Sequence, residues 1–319
     1  MSTEATATRD FKPFVPSEAP WCWSNIIWLT LIHALGLAGL IRLVAHLGEP
    51  GTPLGTSWPV LGWTVGLGIV TFFGITVGYH RFETHAGFKC DPWVEAVWLV
   101  AGGLGLEGTL DSWRRTHTIH HAYTDQPGMD PHTPLQYESR LVGFLWSHMG
   151  WFLKKVELPP INKAFPPNKL IDFQYRYYWV LGVASFIVPW SATGFSWDGL
   201  LIAGFLRVLI TLHLTACINS VAHFWGGQLE YFKASRTGGK TARNVVLATF
   251  LWLLSLGESW HCNHHTLAGC VAHGWRRHQI DISKYLIGAL EKAGLIREVK
   301  WMKPQRAEIL AAQSKASVR

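Results

Sequence analysis

An all-α integral membrane protein, with four transmembrane helices and a helical cap on the cytoplasmic side, is the fold class this sequence predicts. Three observations predict it. Of 319 residues, 49% are hydrophobic and only 15% charged, with 18 tryptophans, a balance foreign to a soluble globular chain. Four segments are long and apolar enough to cross about 30 Å of hydrocarbon as helices. The 28 Lys and Arg residues, set against 21 Asp and Glu, are distributed unevenly between the connections.

In chain order the spans cover 24–45, 58–79, 177–196 and 199–221. The connections 46–57 and 191–199 hold no Lys or Arg, whereas 81–176 carries ten and the chain after Gly226 carries fourteen. The positive-inside rule therefore puts those two basic blocks, and the N-terminus with Arg9 and Lys12, on the cytoplasmic side. Three shorter apolar runs, 93–106, 141–153 and 244–257, cannot span and are expected to re-enter or lie along the interface. Trp21, Trp23, Trp58, Tyr177, Tyr178 and Trp179 at span ends suit the headgroup belt. Arg42 and Arg207 fall inside spans with no evident partner.

The polar first twenty residues read as a retained cytosolic tail, followed by one four-span domain with its cap over 21–300 and a polar C-terminal tail over 301–319. The five cysteines form no C-x-x-C pair, so neither a disulfide framework nor a thiolate zinc site is expected. With the net charge of +7 accounted for by orientation, no nucleic-acid partner is expected, and the surrounding partner is membrane lipid.

Sixteen histidines need a reason in such a chain, because an imidazole in hydrocarbon is costly without a partner. Nine fall into four clusters: His80 and His85 in HRFETH, His117, His120 and His121 in HTIHH, His223 in NSVAH, and His261, His264 and His265 in HCNHH. Residues at i, i+3 and i+4 project from one helical face, so each H-x-x-H-H presents three imidazoles together. A separation of five on an ideal α-helix turns two side chains about 140° apart, which places His85 where its helix ends. Asn219, four residues before His223, shares its face. Eight or nine neutral nitrogens exceed what one metal can use, and two metals with four or five ligands each is the natural count. Imidazole suits Fe, Zn, Cu and Ni alike, so the ligands alone leave the metal open.

Other motifs read as bystanders. Glu258-Ser-Trp-His261 matches the Glu-x-x-His of ferritin-like sites, but that architecture needs two copies and further glutamates. No H-E-x-x-H occurs. Gly103-Leu-Gly-Leu-Glu-Gly108 satisfies G-x-G-x-x-G without a βαβ unit, and close helix packing explains it. His33 and His213 are assigned to helix packing and His46 to the interface, while His132, His148, His273 and His278 are open between supporting the clusters and ordinary surface.

GYHRFETHAGFK, THTIHHAYTD followed by DPHTP, NSVAHFWG and GESWHCNHH, in this order, resemble the membrane-bound acyl desaturases of the stearoyl-CoA (delta-9) type, over about residues 58–296. The resemblance implies four transmembrane helices, a cytosolic cap and a di-iron centre held by His80, His85, His117, His120, His121, His223, His261, His264 and His265, with Asn219 reaching one metal through water. Ala86, Thr118 and Cys262 depart from residues common in the family, but none removes a ligand.

The chemistry follows from the substrate. A saturated methylene has no acidic proton and no polarised bond, so acid–base and nucleophilic routes do not reach it, whereas reduced iron with dioxygen does. Removing two vicinal hydrogens gives a cis alkene and two waters, with two electrons from an external donor such as a ferredoxin or a b-type cytochrome. Since each methylene offers only about 0.8 kcal/mol and no directional handle, a narrow apolar tunnel must place one carbon pair. Arg115, Lys154 and Lys155 are candidates to meet the substrate's carrier, whether coenzyme A, acyl carrier protein or lipid. Asp125 and Asp130 are candidates to orient ligand imidazoles, against the ordinary reading as solvated loop acids. The rival readings are a hydroxylase, acetylenase or terminal desaturase with the same centre, and a non-catalytic membrane metal or haem protein.

Overall fold

The computed structural model describes residues 11–161, 163–224, 255–275, 277 and 279–302. In chain order the described chain forms α1 (Trp23–Ala45), α2 (Trp58–Phe73) running on into a first π segment (Gly74–Thr84), β1 (Lys89–Cys90), α3 (Pro92–Gly103), α4 (Leu110–Tyr123), α5 (Arg140–His148) and α6 (Lys169–Ala192). A second π segment (Gly199–Leu206), α7 (Arg207–Cys217) and a third π segment (Ile218–Ala222) make one continuous helix, and α8 (His261–Thr266), α9 (Ile282–Lys292) and β2 (Ile296–Arg297) follow. β1 and β2 pair antiparallel, Lys89 opposite Arg297. The described chain is thus mostly helical, as predicted.

Among the described residues, three helices are long and apolar enough to cross a membrane: Trp23–Ala45, Trp58–Thr84 and Gly199–Ala222. They match three of the four predicted spans. The remaining one falls on α6, whose first two turns carry Lys169, Asp172 and Arg176 and whose exposed face from Trp179 to Val188 is apolar. The short run 93–106 becomes α3, and 141–153 becomes α5 with a 3₁₀ turn at Gly150–Leu153. The run 244–257 lies outside the described residues except for its last three positions.

Both arginines inside spans have partners that the sequence did not disclose. Arg42 pairs with Asp198 at 2.6 Å, tying the end of α1 to the start of the second π segment. Arg207 is buried and donates to the backbone oxygens of Leu104, Ser185 and Ala203 and to Ser185 Oγ. The Leu104 carbonyl is free at the end of α3, and that of Ser185 lacks its helical donor because Pro189 has no N–H, so both are available to satisfy a guanidinium that hydrocarbon would otherwise penalise. His33 and His213 lie in a ladder with His148. His148 Nδ1 is 2.9 Å from Ser220 Oγ, His148 Nε2 is 2.9 Å from His213 Nδ1, and His213 Nε2 is 3.2 Å from His33 Nε2. Their hydrogen bonds join α1, α5 and α7, so the packing role assigned to His33 and His213 extends to His148.

Small residues set the closest helix approaches. A Cβ on Gly74 would overlap the backbone of Ala101 and Gly102, and one on Gly103 would overlap Leu181. Within the G-x-G-x-x-G stretch, Gly103 and Gly105 thus pack closely, as its composition implied, whereas Gly108 faces open space and serves a positive-φ turn. The buried cluster of Val77, Phe88, Val94, Trp98, Val271, Ile287 and Ile296 then ties the first π segment to α3, α9 and β2.

Gly74→Ala is expected to lower the stability of the purified chain by about 1–3 kcal/mol, because backbone must move to admit the methyl. Gly62→Ala, whose added Cβ meets nothing within 4 Å, is expected to raise it by up to about 1 kcal/mol. Thermal unfolding in detergent checks both, and equal effects would contradict this packing.

Candidate metal centre

The first histidine pair is built by an unusual backbone. An α-helix would splay His80 from His85, but Gly74–Thr84 is a π-helix with i→i+5 hydrogen bonds, whose wider turn brings residues five apart back toward one face. The N–H of His85 closes it, donating to the His80 carbonyl at 3.1 Å. His85 is the C-cap, so the helix does end where the spacing placed its end. The π geometry, which brings the two rings to 4.9 Å, was not legible.

The nine clustered histidines meet in two groups. His80, His85, His117, His121 and His264 offer nitrogens that all lie within 4.8 Å of one another, and so do those of His120, His223, His261 and His265. Each H-x-x-H-H divides between them. The i, i+4 pair serves one group, His117 with His121 and His261 with His265, while the i+3 residue, His120 or His264, turns to the other. The expectation that each motif presents three imidazoles to one place is corrected accordingly: α4 and α8 each bridge both groups.

The nitrogen contacts test whether these residues fit a cation. Nε2 of His264 lies 2.9 Å from Nε2 of both His80 and His121, His121 Nε2 is 3.0 Å from that of His117, and His117 Nε2 is 3.0 Å from that of His85. A neutral imidazole nitrogen is either a donor with one proton or an acceptor. Along this chain of five atoms, at most two of the four contacts can be linear hydrogen bonds, so lone pairs are left converging. In the second group, His265 Nε2 faces the Nε2 atoms of His120 and His261 at 3.1 and 3.0 Å, and buried Nε2 of His223 has no hydrogen-bond partner. Burial, reinforced by the neighbouring imidazoles, holds His117, His120, His121, His261, His264 and His265 well below the usual histidine range. They stay neutral, as metal ligands must.

Carboxylates fix the tautomers from behind. Glu258 Oε2 is 2.8 Å from His80 Nδ1, Asp130 Oδ2 is 3.0 Å from His120 Nδ1, and Asp125 Oδ1 is 3.3 Å from His223 Nδ1. Each Nδ1 therefore carries the proton and leaves Nε2 as a lone pair aimed inward. Asp125 and Asp130 are buried, which overturns their ordinary reading as solvated acids. His132 and His273 are also buried, His132 with its ring 4.3 Å from His120 and His273 4.5 Å from His264. His278 lies outside the described residues.

Sequence reasoning missed Arg81, Glu258 and Asp281. Arg81, 1% exposed, donates to Glu258 Oε1 at 2.8 Å, to both oxygens of Asp281, and to the Val271 carbonyl. Burial alone would push the Glu258 carboxyl up, but His273, Arg81 and His80 together hold it well below the usual carboxylate range. The one legible signal was Glu258 three residues before His261, set aside for lack of a second copy.

A cavity of about 590 Å³ opens beside the groups, with His117, Asn219, Lys154 and Lys155 in its wall. Nζ of Lys154 sits 3.7 Å over the Trp21 ring and donates to the Ala19 carbonyl. Arg115 is exposed and not part of this wall. The free cysteines form no disulfide among the described residues.

Residues 56–278 match the fatty acid desaturase family. The chain is 28% identical to the sn-1 stearoyl-lipid 9-desaturase of Synechocystis sp., over 93% of this chain and 84% of that protein. It is 32% identical to the delta-9 acyl-lipid desaturase 1 of Arabidopsis thaliana, over 78% and 77%. It is also 32% identical to the hex-5-enoyl-[acyl-carrier protein] acetylenase of Moorena producens, over 75% and 76%. A helical chain that gathers nine histidines from four separated motifs is thus a member of the fatty acid desaturase family, and an oxidoreductase.

Arg81→Met is expected to destabilise the protein by about 3–5 kcal/mol, because it leaves Glu258 and Asp281 buried without their shared cation. Chemical unfolding of the purified chain measures this, and a loss below about 1 kcal/mol would contradict the role given to Arg81.

Proposed function

We propose that this protein is an oxygen-dependent fatty acyl desaturase that introduces a cis double bond at the delta-9 position of a saturated chain. The observation that carries the reading is the pair of histidine groups with converging lone pairs, beside a cavity whose wall includes His117 and Asn219. In this reading His80, His85, His117, His121 and His264 hold one iron, and His120, His223, His261 and His265 hold the other, with Asn219 contributing through water. Bound iron with dioxygen supplies the hydrogen-atom abstraction that no side chain provides.

The chain's own residues do the rest. Glu258, Asp130 and Asp125 hold the Nδ1 protons of His80, His120 and His223, and Arg81 keeps Glu258 ionised in a buried place. The cavity wall of Trp28, Leu29, Leu106 and Leu212 excludes water and accepts methylenes, while Lys154 and Lys155 mark the end where the polar head rests. Arg115, exposed outside this wall, is the further basic residue proposed to meet the carrier. The relatives named above act on acyl lipids and on an acyl-carrier-protein substrate. In this protein either carrier leaves the reacting carbons in the same apolar channel.

The proposed placement is a multi-pass membrane protein whose fourth span is α6. The domain covers 21–300 between cytoplasmic tails 1–20 and 301–319, and the centre lies under a cytoplasmic cap where a ferredoxin or b-type cytochrome delivers electrons. The acetylenase relative favours a second reading, in which the same centre acts on a chain that is already unsaturated.

Expression in a bacterium that makes saturated acyl groups, with a competent electron donor and mass-spectrometric location of double bonds, is expected to give an oxygen-dependent cis alkene at carbon 9. An alkyne would select the second reading, and an unchanged lipid profile would refute both. His120→Ala is expected to abolish turnover, and full activity in that variant would refute the ligand assignment.

A further inference from the structure

One carboxyl in the cavity wall has no part in the chemistry above. Glu107 lies between α3 and α4 and lines the same cavity as His117 and Lys155. Its Oε1 is 2.6 Å from Thr215 Oγ on α7, and its Oε2 accepts from Trp113 Nε1 on α4 at 3.3 Å. Trp113 in turn stacks on the His117 ring, with centroids 4.9 Å apart. The titratable groups facing Glu107 from other elements are Tyr178 on α6 and Tyr79 on the first π segment. Along the rest of the wall stand His117, His132, Lys154 and Lys155. No Lys or Arg among the described residues forms an ion pair with Glu107.

We infer that Glu107 is a substrate-contacting group of the acyl channel, and that a saturated chain settles past it only when its carboxyl carries a proton. The inference rests on the proposed function, which makes this cavity the acyl site. A carboxylate here would lose the last of its solvent to incoming methylenes with no cation in return, a cost the neutral acid does not meet. The neutral acid also keeps its partners. Thr215 Oγ can donate to Oε1 or accept its proton, so the charge changes without stranding either group. Burial pushes this carboxyl up to about 7, with the bonds from Thr215 and Trp113 holding it back from going further. The group is thus poised to titrate near neutrality in the empty channel.

The sign of the effect follows. Below the carboxyl's pKa the acid is already neutral and binding is independent of pH. Above it each chain bound takes up a proton, and apparent affinity falls by about tenfold per pH unit. The Michaelis constant of the unaltered chain, reconstituted in liposomes containing stearoyl lipid with a fixed electron donor, is expected to rise in that way across about pH 7 to 9. Glu107→Gln puts a neutral amide of the same shape in place of the acid and removes the titration, so its Michaelis constant is expected to stay flat while kcat follows the same pH trend in both. Matching profiles of the Michaelis constant would overturn the inference.

Calorimetry of 1-stearoyl lysophosphatidylglycerol binding, in two buffers of different ionisation enthalpy near pH 8, reads the proton directly. Uptake approaching one proton by the unaltered chain and none by Glu107→Gln is the expected result, and equal uptake would overturn it. If the unaltered chain binds this lipid but makes no double bond, the proposed function fails and the proton count still decides the role of Glu107.

Discussion

Everything in this protein depends on one unfavourable arrangement: nine buried or half-buried imidazoles gathered into two groups, with nitrogens aimed at one another so that their lone pairs converge. Left alone, such rings would turn to water or take up protons and repel. The fold prevents both. Burial disfavours the charged form, and buried carboxylates on His80, His120 and His223 lock the protons on Nδ1, away from the shared space. The arrangement makes chemical sense as a pair of cation sites, since a cation satisfies at one point what hydrogen bonding among these nitrogens cannot.

The backbone is adapted to that demand. The helices that deliver His80 and His223 end in π segments, and the one ending at Thr84 brings residues five apart into contact. α4 and α8 instead keep ordinary helical spacing and use it to straddle both groups. Behind the first group, Arg81 stitches Glu258 and Asp281 together across chain separations of about 180 to 200 residues, so the segments carrying the first and last histidine motifs cannot drift apart. Farther along the helices, Arg42, Arg207 and the His33–His213–His148 ladder do the equivalent work between apolar segments.

Much of this was legible in the sequence, because hydropathy, basic-residue asymmetry and histidine spacing are local properties. The apolar helices, the helical content and the nine histidines that meet all follow from them. What stayed hidden depends on distant pairs. Nothing local to Glu258 reveals that it backs His80, and Asp125 and Asp130 read as loop acids until the fold buries them. Arg207 looked unpartnered because its partners include backbone oxygens of distant segments, at Leu104 and Ser185, which sequence does not display. The division of each H-x-x-H-H between two groups was hidden for the same reason: spacing gives a shared face, but only the neighbouring helices decide what that face meets.

The proposal on which the function turns is that the two histidine groups hold two separate iron ions. Crystals of the purified chain, measured at the iron absorption edge, test it most directly through the anomalous difference map. Two iron peaks are expected, one among the Nε2 atoms of His80, His85, His117, His121 and His264, the other among those of His120, His223, His261 and His265. A single peak shared by both groups, or a scatterer other than iron in a catalytically active preparation, would contradict it.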